Sequence, residues 1–225
     1  MNYHIEFDLD FKRNPYKGKF IVFEGIDAAG KTTHVNDLAS MLEKQGEKVF
    51  LTKNPTDGEI GKFIRHVLTG KTKIPSVSFQ FLFSADRNAQ QKDLIEHLKS
   101  GETVISDRYF WSAIAYGLAD REDVDMDRTG QVLLYSQSVL SAFDQHILPD
   151  RTIFLDVPVE IAVNRLKNMN KVKELYEDQD KLAKIYKVYM WLIKRFPQEF
   201  TKIDGTKPEK EVADAVLSLV KSLKK

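Results

Sequence analysis

Residues 20–33 read FIVFEGIDAAGKTT, and this stretch decides the fold class. Lys19 to Glu24 is a short apolar run of strand character. Gly25-Ile26-Asp27-Ala28-Ala29-Gly30-Lys31-Thr32 then fits the pattern G-x-x-x-x-G-K-[ST]. The glycines let the loop curl so that backbone N–H groups converge on phosphate oxygens, and the following helix offers its positive N-terminal end to the same anion. Lys31 is expected as a solvent-facing charge for the β and γ phosphates, and the Thr32 hydroxyl as a ligand for Mg²⁺. The triphosphate site then comprises Gly25, Asp27, Ala28, Ala29, Gly30, Lys31, Thr32 and Thr33. Asp27 is out of place beside a polyphosphate unless it turns away from it towards a hydroxyl.

Working outward, four more short runs read as strands: Lys48 to Thr52, Thr103 to Ser106, Arg151 to Asp156 and Phe200 to Ile203. Each is separated from the next by a helix-length segment, which indicates a parallel sheet covered on both faces, a doubly wound α/β domain. Thr32 to Gln45 sets Val35, Leu38, Ala39 and Leu42 on one stripe and stops at Gly46. Helices are also expected over Ser76 to Lys99, Thr129 to Phe143, from Pro158 to about Leu166, and over Asp178 to Phe196. Residues 19–225 read as one domain. Residues 1–18 read as an extension, either a short ordered arm through the alternation of Ile5, Phe7, Leu9 and Phe11 or a frayed tail.

Composition narrows the partners. Lys and Arg number 34 against 33 Asp and Glu, a net charge of +1, so no global field favours a nucleic acid polymer or an anionic membrane. The chain has no cysteine, which excludes disulfides, thiolate catalysis and cysteine-ligated metals. No 18-residue apolar run and no secretory signal is visible, so a cytoplasmic location is the expectation.

In an open α/β sheet, ligands lie beyond the carboxyl ends of the strands. There, Val104-Ile105-Ser106-Asp107-Arg108 delivers an acid and a base to the edge of the phosphate loop. Asp107 can hold Mg²⁺ through water or orient an attacking oxygen. Phe83-Ser84-Ala85-Asp86-Arg87 joins an aromatic face to a guanidinium, the means to stack on a base and bond to it, although Phe83 also suits a core. Lys53-Asn54-Pro55 and Arg65 are weaker signals. His34, in the first helix, is expected to be exposed and incidental.

The segments FIVFEGIDAAGKTT, FLFSADR, SDRYFWSAIAY, IFLDVPVEIAVNR and ELYED occur in that order. From Phe20 to about Val216 the chain resembles thymidylate kinase, within the nucleoside monophosphate kinase group. The resemblance implies five parallel strands, a homodimer, and transfer of the ATP γ-phosphoryl group to dTMP with Mg²⁺. It implies that Asp27 meets the sugar 3′-hydroxyl, Phe83 stacks on thymine, Arg87 reads a carbonyl oxygen of the base, and Tyr116 packs on deoxyribose. It places Asp107 near the metal, Arg108 on the acceptor phosphate, Arg165 over adenine, and Tyr176 in a lid, about residues 167–177, near the acceptor.

The departures from the pattern are specific. Relatives carry a catalytic arginine either in the phosphate loop or in the lid; here those positions hold Ala28 and Leu175. Lys167, Lys171 and Lys173 are the nearest cationic candidates, though a lysine is a point charge where arginine is a bidentate fork. Lys53 stands where the bacterial branch has an arginine for the acceptor phosphate. Gly117 stands where many relatives have glutamine. Acceptor identity is therefore open to another deoxynucleoside monophosphate or a nucleoside, and a nucleotide-binding regulatory module is the reading from another class.

Overall fold

Phe20–Glu24 forms a strand buried at every position, and a strand buried on both faces needs cover above and below. The computed structural model describes residues 12–121, 132, 146–169 and 175–223. In chain order its elements are β1 (Lys12–Arg13), β2 (Phe20–Glu24), α1 (Lys31–Glu43), β3 (Val49–Lys53), α2 (Glu59–Leu68), α3 (Ser76–Ser100), β4 (Thr103–Asp107), α4 (Phe110–Ala119), β5 (Ile147–Leu148), β6 (Arg151–Asp156), α5 (Val159–Lys167), α6 (Gln179–Arg195), β7 (Phe200–Asp204) and α7 (Glu209–Ser222). Five strands make one parallel sheet in the order β3-β4-β2-β6-β7. Helices α1 and α7 pack together, while α3, α4 and α6 form a second packed group. The core between them includes Phe23, Val104, Phe154, Leu192 and Val216.

All five expected strands are present within a residue of their expected limits, as are the helices now labelled α3, α5 and α6, while α1 ends two residues before its expected limit. The helix expected over Thr129 to Phe143 lies outside the described residues apart from Val132. Helix α4 had no stripe to betray it: FWSAIAYGLA is apolar almost throughout, and among its ten residues only Gly117 is not buried.

The end of the N-terminal extension is tied down. Lys12 and Arg13 pair in parallel with Ile147 and Leu148, Arg13 forms an ion pair with Glu199, and Asn14 Nδ2 donates to Asp150 Oδ2 at 2.7 Å. Ile5, Phe7, Leu9 and Phe11 lie outside the described residues.

Candidate active site

The first sheet connections run to one side of β2 and later ones to the other, so the carboxyl ends of β2 and β4 open on one crevice. After β2 the chain turns through Gly30, whose φ of +94° is the left-handed conformation that glycine adopts without a Cβ penalty; Gly30 caps α1. Ala28 also lies at positive φ, +59°.

Lys31 corrects an expectation. It is the first residue of α1 and is buried, because the curled loop turns its side chain back over the stem of the loop. There Nζ donates to the carbonyl oxygens of Ile26 (2.8 Å) and Gly25 (3.2 Å). Burial and the neighbouring Arg108 charge lower its pKa to about 8, against the opposing pull of Asp107, Asp27 and Glu24. Two other loop residues, Gly25 and Ala29, do not line the cavity. A Cβ at Gly25 would come within 3.0 Å of the Leu155 carbonyl oxygen, and Ala29 is buried in the core.

The cavity, of about 360 Å³, extends from the phosphate loop to α3. Asp27, Ala28, Gly30, Lys31, Thr32 and Thr33 form its loop end. All seven residues expected at the acceptor, Asp27, Lys53, Phe83, Arg87, Arg108, Tyr116 and Tyr176, line it too. Phe83 serves both readings: its ring packs on Phe79 at 4.9 Å between centroids and lies on the cavity wall. Arg87 is buried with its Cζ 5.7 Å from the Phe83 ring centre, and burial lowers its pKa to about 10. Lys53 is exposed and pairs with Asp57 at 3.1 Å, and Arg65 reaches the same carboxylate.

Arg108 is the hub of the site. Its guanidinium donates to Asp27 Oδ1 (2.5 Å), Tyr116 Oη (2.6 Å), the Gly25 carbonyl (2.9 Å) and Ser112 Oγ (3.1 Å). Burial alone would raise the Asp27 pKa, but Arg108, Lys31 and the Tyr116 hydroxyl outweigh it and hold the carboxyl below its ordinary value. Thus Asp27 faces the α4 side of the cavity as an anion. Tyr176 is buried against the edge of Tyr116, with ring centroids 4.9 Å apart, and its hydroxyl donates to Asp120 Oδ2 at 2.5 Å.

The Thr32 hydroxyl donates to Asp107 Oδ2 at 2.6 Å. One hydroxyl and one carboxylate side by side at the cavity wall are hard oxygen donors of the kind Mg²⁺ takes when phosphates complete its shell, so the residues present fit that ion.

Arg165 donates to the carbonyl oxygens of Gly205 (2.9 Å) and Ala28 (3.3 Å), bridging the phosphate loop to the turn after β7. His34 is not exposed as expected. It is buried beside Gly30, with Nδ1 3.6 Å from Asp37, and burial lowers its pKa.

Three residues of the site escaped the sequence reading. Gln80 lines the cavity, and its spacing from Phe83 and Arg87, three and seven residues, was the signal that could have found it. Its side chain lies against Gly117, where a Cβ would be 3.4 Å from Gln80 Cγ. Glu24, which opens the Glu-Gly-x-Asp run of the loop, and Ser112, four residues after Arg108, hold Arg108 from behind, a role that neither position announces.

The family model described as thymidylate kinase matches residues 23–216. The chain belongs to the thymidylate kinase family. A probable thymidylate kinase of Pyrococcus horikoshii is 33% identical, with 91% of this chain and 97% of that protein covered. The corresponding figures for Thermococcus kodakarensis are 35%, 91% and 98%. Among solved structures, thymidylate kinase from Candida albicans superposes with a TM-score of 0.76 at 26% identity, covering 91% of this chain and 92% of the other. Membership makes the protein an ATP-dependent nucleoside monophosphate kinase that phosphorylates dTMP to dTDP.

Of the two positions where the family carries its extra arginine, Ala28 lines the cavity, whereas Leu175 does not and has its N–H bound to the Leu68 carbonyl. Lys167 ends α5 and is exposed; Lys171 and Lys173 lie outside the described residues.

Proposed function

We propose that this kinase seats ATP at the loop end of the cavity and dTMP at its α3 end, so that the two phosphates meet beside Lys31 and Arg108. The observation that carries this reading is the convergence of the seven acceptor residues with the phosphate loop on one cavity. Phe83 stacks on the base and Arg87 bonds to it. Asp27 accepts from the sugar 3′-hydroxyl, and Tyr116 packs on deoxyribose where a 2′-hydroxyl would crowd. Arg108 and Lys53 hold the acceptor phosphate, and Arg165 covers the adenine.

The protein has little covalent chemistry to perform. Rate comes from aligning the acceptor oxygen with the γ-phosphorus and from fixed positive charge where negative charge spreads. Lys31 is already fixed by two carbonyls, so it needs little reorientation when the triphosphate arrives. Thr32 and Asp107 would hold Mg²⁺, which supplies charge neutralisation between the phosphates. Met169 and Tyr176 on the cavity wall help to exclude water that would otherwise hydrolyse ATP.

We also infer a homodimer and a cytoplasmic site of action. Neighbouring helices α2 and α3 leave Phe63, Val77 and Phe81 exposed, with Phe81 at 63%. Exposed apolar groups of this size on adjacent helices suit a self-complementary interface. Among the described residues no helix is long and apolar enough to cross a membrane.

A coupled ADP-release assay over a panel of nucleoside monophosphates tests the acceptor. The highest kcat/KM is expected with dTMP, and preference for a different acceptor would overturn the assignment of the α3 end. Light scattering of Phe81→Glu tests the dimer: the variant should shift to monomer, and an unchanged mass would remove this face from the interface.

A further inference from the structure

Arg108 can act on a phosphate only if its guanidinium is held in one aim, and its backbone does not supply that restraint cheaply. At φ +72° it occupies the left-handed region that side-chain-bearing residues avoid unless their surroundings impose it. Two consecutive residues at the end of β2 impose it here. The Phe23 carbonyl accepts from the Arg108 N–H at 2.9 Å. The Glu24 side chain reaches past the turn and accepts on Oε1 from the N–H groups of Tyr109 (3.0 Å) and Ser112 (3.2 Å). Helix α4 has no side-chain cap from its own N-cap residue, and Glu24 provides that cap from a different strand.

The other carboxylate oxygen is committed equally. Glu24 Oε2 accepts from Ser112 Oγ at 2.5 Å and from the Tyr189 hydroxyl at 2.7 Å. Because the Ser112 proton goes to Glu24, the serine oxygen presents a lone pair to Arg108 Nη1, 3.1 Å away. Glu24 itself is fully buried and does not line the cavity. A fully buried carboxylate is costly to keep unless each of its acceptors is used, and here four donors use them.

We propose that Glu24 is a positioning residue for phosphoryl transfer: through Ser112 and the turn at Arg108–Tyr109 it fixes the aim of the Arg108 guanidinium without touching either substrate. The inference rests on the reading that Arg108 meets the acceptor phosphate. It separates two roles that share one carboxylate. Ser112 links Glu24 to Arg108, whereas Tyr189 bonds to Glu24 and Ser112 but not to Arg108.

Single-turnover transfer, acceptor KM and thermal unfolding are measured for Glu24→Gln, Ser112→Ala, Tyr189→Phe and Arg108→Lys, and for the pair Glu24→Gln with Arg108→Lys. Glu24→Gln and Ser112→Ala should slow transfer about tenfold or more per folded molecule, because a misaimed donor loses much of a preorganised contribution. Tyr189→Phe should lower Tm with less than about a twofold change in rate. The pair should be no slower than Arg108→Lys alone, since residues that act through one another are not additive. Parental transfer by Ser112→Ala, or a pair slower by the product of the single effects, overturns the proposal. If Glu24→Gln fails to fold, the pairing of Ser112→Ala with Arg108→Lys decides by the same criterion. Parental transfer by Arg108→Lys would remove the reading of Arg108 itself, and the Glu24 proposal with it. A slow Arg108→Lys beside a parental Ser112→Ala would remove only the proposal.

Discussion

Replacing Lys31 with methionine should abolish catalysis while leaving the fold nearly as stable as before, although the residue is buried. Its pKa of about 8 against an ordinary 10.5 means that holding the ammonium in the folded protein costs about 3 kcal/mol. Two charge-assisted hydrogen bonds to Gly25 and Ile26, at roughly 1.5 to 3 kcal/mol each, offset that cost. Removing the whole charged group removes both contributions. The two carbonyls are not stranded: Gly25 still accepts from Arg108, and Ile26 from the Ala29 N–H. The net change should stay within about 2 kcal/mol, on the order of 5 °C in Tm for a chain of this size. Transfer should fall by at least about 10²-fold, the scale set by removing one preorganised donor from a transition state.

The same shift gives a signed pH dependence. Between about pH 8 and 10.5 the unfolded chain holds the Lys31 proton and the folded chain has released it, so stability should rise with pH across that window, by up to about 3 kcal/mol. Lys31→Met should lack that rise. Since ATP selects the charged form, the parent KM for ATP should climb towards tenfold per pH unit above about 8 while acceptor KM follows less steeply. Calorimetry from pH 7 to 10 and initial rates over the same range check both. A variant with parental turnover, or one that unfolds yet retains activity per folded molecule, would refute the account.

Phe83→Ala should weaken acceptor binding by about 1 to 3 kcal/mol, leave ATP affinity nearly unchanged, and lower Tm because Phe79 loses its partner; a loss of Tm alone in acceptor titrations would assign the ring to the core. Arg165→Ala should raise ATP KM about tenfold with acceptor KM unchanged, since it releases the Ala28 carbonyl, and equal effects on both substrates would contradict that placement. Ala28→Arg should accelerate single-turnover transfer at saturating ATP and dTMP, and more than Leu175→Arg does; the reverse ranking would return the missing charge to the lid.

The parts of the site legible in the sequence were those that follow a strand end or repeat on one helix face. The phosphate loop, Asp107 with Arg108, and Phe83 with Arg87 are local words, and the sheet brings them together because β2 and β4 are neighbours. What stayed hidden depended on depth and direction. Lys31 and His34 stand four residues before Val35 and Leu38, on the buried stripe of α1, but their polar chemistry reads as exposure where the fold in fact buries them. Glu24 reads as the polar end of a strand. Its four donors come from α4 and α6, and no spacing along the chain records contacts 85 to 165 residues apart.

The absent arginine is then a question of direction rather than of charge count. Lys31, Lys53, Arg65, Arg87 and Arg108 already give the cavity five cationic side chains, but Arg108 is engaged by Asp27, Lys53 and Arg65 by Asp57, and Arg87 lies buried beside Phe83 at the α3 end. Lys31 is tied to the neutral carbonyl oxygens of Gly25 and Ile26, and burial brings its pKa down to about 8, the nearest of these to neutrality. A guanidinium at residue 28 would enter from the loop itself. Alanine already tolerates the left-handed backbone there, so an arginine meets no additional steric demand of that kind. At residue 175 the backbone is fixed to Leu68 and the side chain is 43% exposed, away from the cavity wall. An arginine there would have to reach back from solvent, losing side-chain entropy that the loop position largely spares. The preferred site for restoring the charge is therefore the phosphate loop, because residue 28 lines the cavity and residue 175 does not.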